Sequence, residues 1–329
     1  MNNLAEVAKY LHENDSFLVV SHAKPDGDAA GSALGLAALL LSNGKKAGVI
    51  FADDIPDKFK KLTSIQYSRE IPDWSVDCAY ANLIVLDCAR AIRLNAPWKV
   101  GDFPGTVINI DHHVDNDVNG TFNVVQGNAS ACSAMTSELA SILEKDYKWQ
   151  FNREVATMFY LGIVTDTGSF RFSNTNAATF RQAAFLLEHG ADSEKVINCA
   201  YFSKKENQQK FEADMILNHV RRDFDGKYVW AYLEQDMFDR YNFDMKDGEG
   251  VIEFLREIDG GIIAVLIYPK DDTFKVSLRS KDARYPVGPV ARSLNGGGHE
   301  MASGITARGI SKDELIDALK NKIGEFLQS

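Results

Sequence analysis

FLVVSHAKPDGDAAGSALG, residues 17–35, holds a strand, a turn and the start of a helix in one stretch. Phe17-Leu18-Val19-Val20 is a short apolar run of strand character. Gly27, between Asp26 and Asp28, gives the backbone freedom for a turn. The alanine-rich run from Ala29 to Leu41 has helical composition. Between strand and helix stand His22, Asp26 and Asp28. In a parallel α/β sheet, ligands bind beyond the carboxyl ends of the strands, which is where these three side chains fall.

The same alternation continues outward. Val49-Ile50-Phe51 is strand-like, and Leu83-Ile84-Val85-Leu86 and Val107-Ile108-Asn109-Ile110 read as strands buried on both faces. Ser133 to Leu143 and Val155 to Val164 read as helices. The pattern predicts an α/β fold with a largely parallel N-terminal sheet flanked by helices. Residues 191–211, ADSEKVINCAYFSKKENQQKF, are charge-rich and lack glycine, so they read as a helical connector. Beyond it, Lys227 to Tyr232, Ile262 to Tyr268 and Phe274 to Leu278 are strand-like, with helical patterns at Gly250 to Ile258 and Lys312 to Leu327. We read residues 1–190 as one domain and 212–329 as a smaller α/β domain with a mixed sheet. No internal repeat or low-complexity segment is visible.

The bulk properties agree. At roughly 150 residues per domain, 329 residues suggest two domains. Apolar residues make up 45% and charged residues 25%, which excludes a disordered chain, a collagen-like repeat or a small disulfide scaffold. The net charge of −10 argues against a protein that coats long duplex nucleic acid by neutralising phosphates. It leaves room for a short anionic substrate in a metal-lined pocket. The one local departure runs from Lys275 to Arg292, where Lys275, Arg279, Lys281, Arg284 and Arg292 face only Asp282. Cys78, Cys88, Cys132 and Cys199 form no Cys-x-x-Cys pair, so a cysteine zinc site or redox pair is not expected. MNNLAEVAKYL reads as an amphipathic helix, without the regions of a signal peptide. Apolar runs such as Ala33 to Leu41 fall short of the ~20 residues needed to span a bilayer. The expected setting is a reducing cytoplasm, with no membrane partner.

Three further segments join 17–35 in ending an apolar stretch with ligand chemistry: LIVLD gives Asp87, VINIDHH gives Asp111, His112 and His113, and FYLGIVTDTGSF gives Asp166. Read as strand ends, all four converge on one edge of the sheet. Each has a plainer reading alone. Asp28 suits a helix N-cap, Asp87 a polar turn, His112 and His113 the surface of the charged loop DHHVDND, and Asp166 a Thr-Asp-Thr-Gly turn. Together they offer more oxygen and imidazole donors than one catalytic ion requires. They suit two divalent ions ~3.5–4 Å apart that share a bridging carboxylate, activate water and clamp the oxygens of a phosphoryl displacement. Asp87, alone at its strand end, is the natural bridging ligand. A carboxylate-rich set favours Mn2+ or Mg2+ over structural zinc.

In the second half, NGGGHEMASG, Asn295 to Gly304, contains Gly296-Gly297-Gly298 followed by His299. Three glycines let backbone N–H groups approach an anion, and a helix beginning near Met301 would add a favourable field. Arg279 can grip phosphate in a bidentate way. The competing reading is a flexible loop beside a solvated arginine. Arg93 reaches either substrate or solvent. Gly248-x-Gly250 is only a fragment of a dinucleotide fingerprint and is discounted, and no Walker A lysine motif appears.

These segments resemble the DHH phosphoesterase superfamily. Asp111-His112-His113 is its signature. SHAKPDGDAAGS, LIVLDCARAIRL and YLGIVTDTG look like its other metal motifs in the expected order. NGGGHEMASG and FKVSLRS look like the associated DHHA1 domain. The resemblance implies a first metal site of His22, Asp26 and Asp87, and a second of Asp28, Asp87, His112 and Asp166. It also implies that His113 faces the substrate phosphate, that Asp111 supports the histidines, and that the active site occupies an interdomain cleft. His113, Asp87 and His112 would carry catalysis. Arg279, Gly296, Gly297, Gly298, His299 and Arg93 would bind substrate.

Length and domain pairing look like the nanoRNase group, which implies hydrolysis of short oligoribonucleotides to mononucleotides and of 3′-phosphoadenosine 5′-phosphate to AMP. The expected cofactors are two divalent cations, Mn2+ first and Mg2+ second. The expected partners are short RNA oligonucleotides or phosphorylated nucleotides, with a homodimer left open. A cyclic or linear dinucleotide phosphodiesterase would use the same motifs. Inorganic pyrophosphatases of the superfamily share only the first half, and RecJ-like exonucleases are larger. A nucleotide-binding sensor without catalysis is the alternative from another class, against which the intact ligand set argues.

Overall fold

The computed structural model describes residues 2–70, 79–96, 99–245 and 250–327; Cys78 and Gly248 lie outside these. The chain divides into two compact units, Met1–Ser203 and Lys204–Ser329.

The first unit opens with α1 (Leu4–Glu13), β1 (Phe17–Val20), α2 (Gly27–Ser42), β2 (Ala47–Ile50) and the short α3 (Asp57–Lys60). It continues through β3 (Asn82–Leu86), two 3-10 turns (Ala91–Leu94 and Val100–Asp102), β4 (Thr106–Asp111) and β5 (Phe122–Val125). It closes with α4 (Cys132–Tyr147), α5 (Arg153–Asp166), α6 (Ala177–Glu188) and α7 (Ser193–Tyr201). The five strands are all parallel, in the order β2-β1-β3-β4-β5. Phe17, Val19, Ile84, Leu86, Ile108 and Ile110 face the larger core, while Leu18, Val20, Leu83, Val85 and Val107 face a smaller one. Burial on both faces is why these strands read as unbroken apolar runs. The strand order reverses between β1 and β3, a topological switch point where an open α/β sheet offers a crevice. His22 follows β1 and Asp87 follows β3.

α2 is apolar nearly all round, and Gly27 through Leu40 are buried. Its N-cap is Asp26, whose Oδ1 accepts from the Asp28 and Ala29 N–H groups at 3.0 Å each. Asp28 is therefore not the cap. Gly31 allows α2 to lie directly on α5: a Cβ there would stand 2.5 Å from the Met158 carbonyl oxygen and 2.8 Å from the Gly162 nitrogen. Gly27 meets Thr165 and Gly35 meets Phe159, so the two helices run antiparallel. The end of α5 thus lies beside the start of α2. Asp166 is the last residue of a helix, not of a strand. The 3.6-residue period of Val155, Met158, Phe159 and Gly162 prevails over the strand-end reading of the fourth ligand segment.

The second unit contains α8 (Glu206–Asp214), a π-helical turn (Met215–His219), β6 (Val220–Asp223), β7 (Tyr228–Tyr232), α9 (Gln235–Tyr241) and α10 (Val251–Glu257). β8 (Ile263–Lys270), β9 (Thr273–Ser280), α11 (Gly288–Ser293), β10 (Gly297–His299), β11 (Ala302–Arg308) and α12 (Lys312–Leu327) follow. The sheet order is β10-β11-β9-β8-β7-β6, with only β7–β8 parallel. Tyr228, Ile263, Val265 and Leu278 pack with Leu315, Leu319 and Ile323 of α12 on one face. Val229, Ala231 and Leu266 pack with Phe211 and Leu255 on the other. No helix begins near Met301. That residue lies in the turn between β10 and β11, and Ser303 and Ile305 alternate inward along the strand that follows. Period-two burial and the β-branched pair Ile305-Thr306 outweigh the helical expectation.

Among the described residues no helix is long and apolar enough to cross a membrane.

Candidate active site and metal centre

β3 delivers Asp87 at its carboxyl end, where the backbone turns to φ 50°. Aspartate tolerates this left-handed conformation better than most residues, and such positions cluster at functional sites. The carboxylate is buried, and its Oδ1 accepts no hydrogen bond. Each of its oxygens faces a different imidazole. Oδ2 lies 3.6 Å from His22 Nε2, and Oδ1 lies 3.5 Å from His112 Nε2.

Two groups of donors therefore meet on one carboxylate. His22, Asp26 and Asp87 form the first, with His22 Nε2 3.9 Å from Asp26 Oδ2. Asp28, His112 and Asp166 form the second, with His112 Nε2 3.9 Å from Asp28 Oδ2 and 3.9 Å from Asp166 Oδ2. These separations are too long for hydrogen bonds. They suit atoms that share a central ion, since ligands each about 2.1 Å from a cation stand about 3–4 Å apart. Together with the orphaned Asp87 oxygen, this donor set fits divalent cations.

The local sequence aims each ligand. Asp26 uses one oxygen to cap α2 and turns the other to His22. The His22 Nδ1–H donates to the Ala23 carbonyl at 2.9 Å, which fixes the tautomer and leaves Nε2 for the carboxylates. Asp28 accepts from the first N–H groups of α4, Cys132 at 2.7 Å and Ser133 at 2.8 Å. A helix N-terminus is a favourable seat for a carboxylate. Asp111 is fully buried, and its Oδ1 accepts from the His112 and His113 backbone N–H groups and from His113 Nδ1 at 2.7 Å. Its Oδ2 accepts from Asn116 at 2.6 Å, and the same amide donates to the Cys88 carbonyl at 3.1 Å. Asn116 thus ties the His113 support to the loop that follows Asp87.

The electrostatics reflect crowded carboxylates with little water. Burial, reinforced by the Asp87 charge, pushes the Asp28 carboxyl up to about 7 against the pull of His112. Burial also raises Asp166 well above the usual carboxylate range. Burial alone would lift Asp87, but the His112 and His22 imidazoles outweigh it and hold that carboxyl well below the range. Burial disfavours charge on His22 and His112, yet the neighbouring carboxylates prevail and raise both. Burial raises the Cys88 thiol to about 12 and Cys132 far up, so neither serves as a nucleophile.

Arg93 is exposed in the turn after Asp87, and its carbonyl accepts from the Ala23 N–H at 2.7 Å. In the second unit, Arg279 Nε donates to Glu253 Oε1 at 3.0 Å and Nη1 to the Leu278 carbonyl. Gly297 to His299 form β10, the edge strand that pairs with β11 in a hairpin, and Gly296 leads into it. Gly298 has φ 125°, and a Cβ on Gly296 would stand 2.3 Å from the Gly304 carbonyl oxygen, so the hairpin itself demands these two glycines. Sequence reasoning passed over Asn116, although it lies within the charged run DHHVDND. It also passed over the α4 amides, whose signal was the small-residue run GNASACSA before the helix.

The profile of the DHH family, N-terminal domain, matches residues 16–163, and that of the DHHA1 domain matches residues 225–327. The bifunctional oligoribonuclease and PAP phosphatase NrnA of Thermus thermophilus is 30% identical over 99% of this chain and 94% of its own length. The chain belongs to the DHH phosphoesterase family. A second DHH relative, the NrnA of Bacillus subtilis that bears the same full name, is 30% identical over 91% of each chain. The DHH–DHHA1 fold recurs in the crystal structure of an exopolyphosphatase-related protein from Bacteroides fragilis. That structure superposes with a TM-score of 0.87 at 24% identity, over 99% of this chain and 98% of the other. DHH phosphoesterases depend on two metal ions, and of the donors described above all but Asp166, three residues beyond its end, lie in the matched DHH segment.

Proposed function

We propose that this protein is a dimetal phosphoesterase that hydrolyses short oligoribonucleotides to mononucleotides and 3′-phosphoadenosine 5′-phosphate to AMP. One observation carries the reading: two groups of ligands meet on the two oxygens of Asp87. The nearly full-length similarity to proteins named bifunctional oligoribonuclease and PAP phosphatase supports the substrate class. We assign one ion to His22, Asp26 and Asp87, and the other to Asp28, Asp87, His112 and Asp166. Mn2+ is the preferred ion and Mg2+ the second choice, because oxygen donors outnumber imidazoles.

Two such cations supply Lewis acidity and lower the pKa of water beside the phosphate. The chain supplies the rest. Asp87 holds both groups in register. Asp111 keeps the His113 proton on Nδ1, so the ring's orientation is fixed. A protonated His113 can then donate to the departing oxygen. Residues 1–190 form the catalytic part and 191–211 the connector. Within 212–329, Arg279, Gly296, Gly297, Gly298 and His299 hold substrate, and Arg93 contributes from the first part. The free thiols Cys88, Cys132 and Cys199 suit a reducing cytoplasm.

The test uses a labelled diribonucleotide and 3′-phosphoadenosine 5′-phosphate with Mn2+. Mononucleotide and AMP should appear, and chelator or Asp87→Ala should stop both reactions. Ligand binding without product would point to a sensor. Faster turnover of a cyclic dinucleotide would move the function to the alternative phosphodiesterase.

A further inference from the structure

We propose that Asn174 is a positioning residue for the second ligand group: it fixes the Asp166 carboxylate and refers it to the turn that holds Asp28. The inference rests on reading the site as a dimetal centre and extends it to a residue outside the ligand set.

Asp166 needs such help more than Asp28 or Asp87. It ends a helix, where the dipole disfavours negative charge. Its side chain is 26% accessible, against 2% for Asp28 and 3% for Asp87, so packing alone does not hold it.

The chain after α5 is shaped to return to it. Gly168, Ser169 and Phe170 take successive φ values of 55°, 59° and 65°. The turn is pinned by Ser169 N–H to the Val164 carbonyl at 2.7 Å and by Phe172 N–H to the Thr167 carbonyl at 3.0 Å. Phe172 fills the space beside Gly168, where a Cβ would come within 2.3 Å of its ring. Bulky residues adopt this backbone only where the surroundings impose it. The result brings Asn174 back to Asp166.

Asn174 Nδ2 lies 3.1 Å from the Asp166 carbonyl, 3.3 Å from Asp166 Oδ2 and 2.9 Å from the Ser130 carbonyl. Three acceptors around one atom identify it as the nitrogen, since a flipped amide would set oxygen against oxygen. Asp166 Oδ2 is the oxygen that faces His112 Nε2. Ser130 immediately precedes Ala131, Cys132 and Ser133, and the last two donate to Asp28. One amide therefore ties Asp166 to the turn that also holds Asp28.

Partners of this kind orient metal ligands, and their loss typically lowers affinity about 10- to 100-fold. The experiment titrates Mn2+ into the full-length protein by calorimetry, with no substrate present. Asn174→Ala should weaken one of two Mn2+ ions by that factor and leave the other unchanged. Asn174→Asp, close in shape, sets a carboxylate against Asp166 and should weaken it further.

Asn176→Ala is the structural control. Asn176 caps α6 through the Ala178 and Thr179 N–H groups and donates to the Asn128 carbonyl, on the same loop but away from the ligands. That variant should lower the melting temperature and keep both ions.

Wild-type binding of two ions by Asn174→Ala and Asn174→Asp overturns the proposal. If the alanine variant does not fold, the aspartate variant decides alone in the same way. Fewer than two ions on the wild-type protein overturns both this assignment and the dimetal reading. Two ions without hydrolysis of either substrate removes the proposed function and leaves Asn174 as assigned.

Discussion

Replacing Gly31 by alanine adds one methyl group, three residues from the nearest ligand, and should still disturb the metal centre. An alanine in a helix interior is normally stabilising by about 1 kcal/mol relative to glycine. Here the new Cβ would stand 2.5 Å from the Met158 carbonyl oxygen and 2.8 Å from the Gly162 nitrogen. Both are backbone atoms and cannot swing aside. Ordinary contact is roughly 3.5 Å, so α2 and α5 must separate by about 1 Å. Overpacking of this kind costs about 1–3 kcal/mol, which cancels or exceeds the propensity gain. Asp28 rides on α2 and Asp166 on α5. Functional constellations tolerate only about 0.5 Å of displacement, so the same shift should weaken the second ligand group. Gly35→Ala is the comparison, because its Cβ meets the Phe159 ring at 2.6 Å and a side chain can move. Thermal unfolding in chelator and calorimetric Mn2+ titration read the two effects separately. Gly31→Ala should melt no higher than wild type and bind one ion at least tenfold more weakly, with Gly35→Ala milder in both. A higher melting temperature with wild-type Mn2+ binding would show that the helix contact does not set the ligand spacing.

Cation binding should release protons. Asp28, pushed up to about 7, and the raised His22, His112 and Asp166 must all lose protons before they ligate. Apparent Mn2+ affinity should therefore fall as pH drops below 7, about tenfold per unit from the Asp28 proton alone. Calorimetry in two buffers of different ionisation enthalpy counts the protons, and a heat independent of buffer would contradict the scheme. Asn116→Ala strands Asp111 Oδ2 and the Val118 N–H and removes one acceptor from Asn109 Nδ2, which keeps its bond to the Val118 carbonyl. It should cost about 2–4 kcal/mol in denaturant unfolding and lower turnover while both ions remain bound. Cys88 and Cys132 should resist alkylation in the native protein while Cys199 reacts, as mapped by mass spectrometry; rapid labelling of Cys132 would contradict its burial.

The parallel sheet was legible because its strands are buried on both faces and so appear as unbroken apolar runs. The ligands at β1, β3 and β4 were legible for a related reason, since polar groups at the ends of such runs stand out. Asp166 was harder. A segment such as FYLGIV suits a strand or a buried helix, and its contact with the Gly31 face decides between them only in three dimensions. Asn116 and Asn174 were not legible as partners. Asparagine in a loop is the commonest of turn residues, and nothing in its spacing states which carboxylate it will meet. The GGGH segment misled at Met301 because short edge strands rich in glycine carry almost no periodic signal. Their pairing is dictated by the neighbouring β9 rather than by themselves.

The left-handed backbone at Asp87 has an evolutionary corollary. Asparagine and glycine are the other residues at ease there, and each is a single nucleotide change from an aspartate codon. Asparagine would keep the turn and the side-chain volume while removing the charge between His22 and His112, whereas glycine would keep the turn and leave a void. If Asp87 bridges the two ions as proposed, a single Asp87→Asn change would silence hydrolysis without disturbing the backbone turn, so catalytic loss and fold loss are separable at this position.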